Sequence, residues 1–85
     1  MYYSEVFDAA DKVDSFETFL DFMSLLEQNF RQSGSCWENQ TIDMFLEASA
    51  AWANDNNRNK NSDSNLKTAS WQNFARILSS GIIYE

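Results

Sequence analysis

The chain contains no proline, and its only glycines are Gly34 and Gly81. Sheet proteins reverse direction often, and those reversals draw on Gly and Pro for backbone angles that other residues adopt poorly. A many-stranded β domain in 85 residues is therefore excluded, and the expected fold class is all-α, one acidic helical domain over residues 1–85. Three Trp, three Tyr and seven Phe provide the core of such a domain, since each large ring can bury about 150–250 Å². Cys36 is the single cysteine, so no intrachain disulfide forms and a reducing, cytoplasmic setting fits. With no histidine at all, zinc fingers, Ser–His–Asp triads and Cys–His dyads are ruled out. No cofactor or metal is expected.

Apolar spacing places four helices. In a short first segment, Tyr2 to Asp11, the residues Tyr3, Phe7 and Ala10 share a face. A long second helix begins at Asp14 or Ser15, with Asp14 and Glu17 at the spacing of a capping box. Its stripe of Phe16, Phe19, Leu20, Met23, Leu26 and Phe30 reads as core, widened by Phe22 and Leu25. Arg31 suits its last turn, and Gly34 is placed as a left-handed C-cap. The third helix spans Thr41 to Asn54, with Thr41 or Asn39 as cap and Ile42, Phe45, Leu46, Ser49 and Trp52 or Ala53 inward. Residues 54–65 hold six Asn and no apolar side chain, which reads as a polar loop. Ser70 caps the last helix, where Trp71, Phe74, Ala75 and Leu78 line one face beside Ile77, and the tail Ile82 to Glu85 docks on the core. The architecture expected is an irregular bundle of three main helices plus a short N-terminal one, because two long connections do not suit an up-and-down bundle.

Charge narrows the partners. Thirteen acidic residues face six basic ones, a net charge of −7. Residues 1–50 hold ten acids and two bases, a net of −8, whereas 51–85 hold three acids and four bases, a net of +1; together they give the −7. Nucleic acid and anionic membranes would be repelled, and a basic protein partner is favoured. No apolar run is long enough for a signal-peptide core or a membrane span.

The segments Trp37-Glu38-Asn39-Gln40-Thr41, Phe45-Leu46-Glu47-Ala48 with Ala50-Ala51-Trp52, and Trp71-x-x-Phe74-Ala75-x-x-Leu78 with Ile83-Tyr84-Glu85 occur in that order. Together they resemble a small bacterial family of unknown function whose pattern is W-E-N-x-T, F-L-E-A-x-A-A-W and a closing I-Y-E. The resemblance covers most of the chain from Phe16 onward and implies no activity. Its members tend to have Asp and Pro where this chain has its Asn-rich stretch. By type, small acidic proteins of this kind look like immunity proteins, the inhibitors made beside bacterial toxins.

Three functions compete on these residues. An immunity-type inhibitor would cover a basic toxin site with one acidic face made of Asp8, Asp11, Asp14, Glu17, Asp21, Glu38, Asp43 and Glu47. Alternatively, a general adaptor would anchor a partner through Trp37 and the terminal tyrosines Tyr2, Tyr3 and Tyr84. Trp37 equally suits a packing role next to the third helix's cap. Finally, a hydrolase could use a carboxylate pair, Glu17 with Asp21 or Asp43 with Glu47, each spaced i, i+4. It would require a pocket holding two carboxylates, one with a raised pKa. Cys36 has no neighbour in sequence that would activate it, and a small, inert, partly buried side chain is expected. The non-enzymatic inhibitor is the leading expectation.

Overall fold

A computed structural model describes residues 3–57, 66 and 68–84. It is all-α: α1 (Ser4–Asp11), α2 (Phe16–Ser33), a 3₁₀ turn (Gly34–Cys36), α3 (Ile42–Asn57) and α4 (Trp71–Ser80), with no strand among the described residues. At eight and ten residues, α1 and α4 are close in length, so α1 is not set apart as the one short helix.

The central element is α4. It packs against α1, α2 and α3, whereas α3 meets no other α-helix among the described residues. The reason lies in its composition: Ala75 is fully buried, and Ser79, Ser80 and Gly81 are buried as well. Small side chains on that arc let neighbouring backbones come close. At Gly81 an added Cβ would overlap Ser49 Oγ and sit 2.8 and 2.9 Å from the Phe45 ring. Glycine thus suits the close approach of α3, and its φ of −61° is one that any residue adopts.

The core joins Val6, Ala10 and Val13 from α1 and its exit, Phe22 and Leu26 from α2, Trp37, Ala75 and Ile82. The starts of α2, α3 and α4 are capped by hydroxyl side chains, whereas α1 starts at Tyr3 with no side-chain cap. Ser15, not Asp14, caps α2: its hydroxyl accepts from Thr18 N at 3.2 Å, and its own N–H donates to Thr18 Oγ1 at 3.0 Å. Thr18 thereby replaces Glu17 in the capping box, because its short hydroxyl reaches both partners. Thr41 and Ser70 act as expected, accepting from Met44 N at 3.4 Å and Asn73 N at 3.0 Å.

Several expectations are corrected. The inward face of α2 is Phe22 and Leu26 with Phe19 and Leu25 beside them, while Phe16, Leu20, Met23 and Phe30 stay 38–50% exposed. On α1, Val6 and Ala10 are buried and Phe7 is only half-buried. Ile42 and Leu46 on α3, at 73% and 55% exposure, face outward, as do Trp71 and Phe74 in good part. Gly34 has φ −59° and begins the 3₁₀ turn, so it is not a left-handed cap. Helix α3 continues through the polar residues 54–57; the rest of the expected Asn-rich loop, 58–65, lies outside the described residues. The tail does dock, with Ile82 fully buried and Ile83 packed on the core.

Candidate functional site

The Trp37-Glu38-Asn39 segment divides its labour. Trp37 is 6% exposed. Its ring stacks on Phe45 (centroids 5.9 Å, 24°) and meets Phe30 edge-on at 5.1 Å. Of the two roles weighed for Trp37, the geometry matches packing: the ring is held between Phe30 and Phe45, and little of it is left to meet a partner. Asn39 is a clamp. Its Nδ2 donates to the carbonyls of Gly81 and Tyr84, both at 3.0 Å. The backbone N–H groups of Glu38 and Asn39 donate to the carbonyl of Ile82 at 3.1 and 3.2 Å. This seats the connection before α3 against the turn after α4. Between these two structural residues, the Glu38 side chain is left in solvent.

A similar division holds in the next segment. Phe45 and Ala48 face inward, whereas Glu47 is exposed. Glu38 and Glu47 converge on one open cleft of about 380 Å³, whose wall is Met44, Ala48, Ala51, Asn39 and Tyr84. Neither carboxylate makes an ion pair or a side-chain hydrogen bond among the described residues. An apolar floor with two unpaired carboxylates is complementary to a Lys or Arg side chain, whose stem packs on methyl and methylene groups while its head meets the charges. Asn39 and Met44 were not expected at a site, and Tyr84 was expected only as an adaptor anchor. They are brought there by the clamp, which links segments far apart in sequence.

The remaining expected residues do not all join them. Asp11 holds Arg76 in an ion pair at 3.3 Å, and its carbonyl accepts from Gln72 Nε2 at 2.7 Å. This acid is thus partly neutralised by α4 while its side chain stays exposed. Asp14 accepts from Thr18 Oγ1 at 3.2 Å at the start of α2. Asp43 accepts a 2.6 Å hydrogen bond from Thr41 Oγ1, and that bond, aided by the Met44 N–H, holds its carboxyl below the usual aspartate value. Asp8, Glu17 and Asp21 are exposed on α1 and α2. Helix α3, which carries Asp43 and Glu47, has its close backbone contacts with α4, whereas Asp8, Glu17 and Asp21 lie on α1 and α2.

Every described carboxylate residue is exposed, so the enclosed pair that the hydrolase reading needs is not found among the described residues. Nor do three or more His, Cys, Asp or Glu cluster in a metal-binding arrangement among them. Cys36 is exposed, where a partly buried position was expected. Tyr3 and Tyr84 are half-buried, and the Tyr84 hydroxyl donates to Asp55. Tyr2 lies outside the described residues. No described helix is long and apolar enough to cross a membrane.

A small all-α domain organised on one central helix, with an acidic cleft beside its closing turn, is the class that these observations define. The chain belongs to the family of unknown function DUF7660, which it matches over residues 15–85. No curated relative and no solved structure matches it.

Proposed function

We propose that this is a non-enzymatic protein-binding domain of the immunity type, an inhibitor that covers a basic site on a toxin. The supporting observation is the convergence of Glu38 and Glu47 on one cleft with an apolar floor. A protruding Lys or Arg of the partner would enter that cleft. Asp43, whose carboxylate accepts from Thr41, would add to the attraction from the same helix. The net charge of −7 would steer encounter, so association should slow steeply as salt rises. A cytoplasmic, reducing setting is part of the same proposal. The adaptor alternative loses its main anchor, because Trp37 is buried.

The test is capture of partners on the tagged protein at low salt from its source organism, identification by mass spectrometry, and release at high salt. The bound partner is then titrated against Glu38→Lys and Glu47→Lys. A basic partner whose affinity drops by about tenfold or more supports the reading. Unchanged affinity in both variants removes the cleft from it, and a neutral partner retained at high salt removes the inhibitor reading itself.

A further inference from the structure

A second surface lies on α2 and α4 and shares no residue with the lining of the Glu38–Glu47 cleft. Phe16 (50% exposed), Leu20 (47%), Met23 (38%), Trp71 (38%) and Phe74 (42%) all show large apolar area to solvent. They are not scattered. The Trp71 ring lies 5.4 Å from Phe16, 5.2 Å from Phe19 and 5.8 Å from Phe74. On α2, Phe16, Leu20 and Met23 follow one another at i, i+4 and i+7, a single strip along the helix. Contiguous exposed apolar surface of this kind marks an interaction site far more often than isolated exposed residues do.

Charge identifies what covers it. Glu17 and Asp21 border the strip on α2, and Glu27 continues it one turn beyond Met23. Among the described cations, Arg31 pairs with Glu27 at 3.6 Å and Arg76 with Asp11, leaving Lys12 in the connection before α2. A second copy of this chain would bring the same acids against themselves across a two-fold interface. An anionic lipid surface would meet the same repulsion. We infer that this α2–α4 face binds an amphipathic basic segment of a protein, with apolar side chains on the Phe16–Leu20–Met23–Trp71–Phe74 surface and Lys or Arg residues against Glu17 and Asp21. The aromatic centre supplies affinity and the acidic border supplies orientation, the usual division at an interface. The inference does not depend on the Glu38–Glu47 cleft.

The test uses three labelled synthetic peptides followed by fluorescence anisotropy. One is a Leu/Lys helix with a single Leu stripe, the second has the same composition scrambled so that no stripe forms, and the third has Glu in place of Lys. The stripe peptide with Lys should bind about tenfold more tightly than either of the others. Leu20→Ser with Met23→Ser, both partly exposed positions, should remove most of that binding while circular dichroism shows the helical fold retained at the assay temperature. Glu17→Lys with Asp21→Lys should weaken it and flatten its salt dependence, and Glu38→Lys with Glu47→Lys should leave it alone. The inference is overturned if the scrambled peptide binds equally well, if the Glu peptide does, or if Leu20→Ser with Met23→Ser has no effect. It is also overturned if sedimentation shows dimers that the Leu20→Ser change dissolves, since the occupant would then be a second copy.

Discussion

The indole N–H of Trp37 donates to Asn29 Oδ1 at 2.7 Å, eight residues back along the chain. That bond folds the connection after α2 onto the last turns of the same helix and sets the ring between Phe30 and Phe45. Trp37→Ala would open a large cavity and leave Asn29 without this donor, at a cost of about 3–5 kcal/mol. Trp37→Phe retains the ring packing and loses the bond, costing less. Urea denaturation should rank the two in that order. Equal losses would mean that the hydrogen bond, and not the packed ring, is the main contribution.

The two glycines should respond differently to one added methyl group. At Gly81 the Cβ meets Phe45 and Ser49, both held inside the α3–α4 contact, so Gly81→Ala should cost about 1–3 kcal/mol. At Gly34 the nearest atoms to an added Cβ belong to the Phe30 ring, at 2.7 Å, and that side chain is 45% exposed, so it has solvent on one side to move into. Gly34→Ala should therefore be the milder change in the same thermal melts.

Asn39 and Glu38 are neighbours with opposite expected sensitivities. Asn39→Ala removes both side-chain hydrogen bonds to the 81–84 turn and should cost about 1–3 kcal/mol. Glu38→Ala keeps its backbone bond to Ile82 and should lie within about 0.5 kcal/mol of the parent. A large loss of stability in Glu38→Ala would show that the residue is structural after all. Ile82→Ala, in the fully buried position that the clamp holds, should cost about 2–5 kcal/mol.

The Tyr84–Asp55 pair gives a pH signature. Donation to Asp55, together with the charge of that carboxylate, raises the Tyr84 phenol above its ordinary 10.0. The folded state thus holds the phenolic proton more firmly than the unfolded state does. Its stabilising effect is complete below about pH 10 and is lost as pH rises through the raised value. Ultraviolet titration should show a late phenolate phase that Tyr84→Phe abolishes and Asp55→Asn shifts downward. A late phase that survives in Tyr84→Phe would assign it to another tyrosine.

Much of the secondary structure was legible because it follows from local rules. Thr41 and Ser70 cap helices wherever their hydroxyls reach the backbone N–H three residues on, and the apolar tail had to dock somewhere. The inward face of α2 was not legible. That helix carries apolar residues around more than half of its circumference, so periodicity alone could not choose Phe22 and Leu26 over Phe16 and Leu20. The choice is made by the small residues of α4, which are distant in sequence. The same limit applies to the candidate site. Glu38 and Glu47 could be named as acids, but their convergence depends on Asn39 gripping three carbonyl-bearing residues more than forty positions away. Asp11 looked free because its partner, Arg76, lies 65 residues further on.

The central place of α4 bears on how the protein is made. Synthesis delivers α1, α2 and α3 first, yet among the described residues α3 has no helical neighbour but α4, and the 38–39 clamp has nothing to hold until residues 81–84 emerge. Until then the inner faces around Val6, Phe22 and Phe45 stand open to chaperones and to one another. A chain stopped anywhere before Ile82 would therefore be expected to reach the proteases and not its partner. An early stop and a frameshift in the stretch encoding 71–82 should have the same outcome in the cell: no detectable protein.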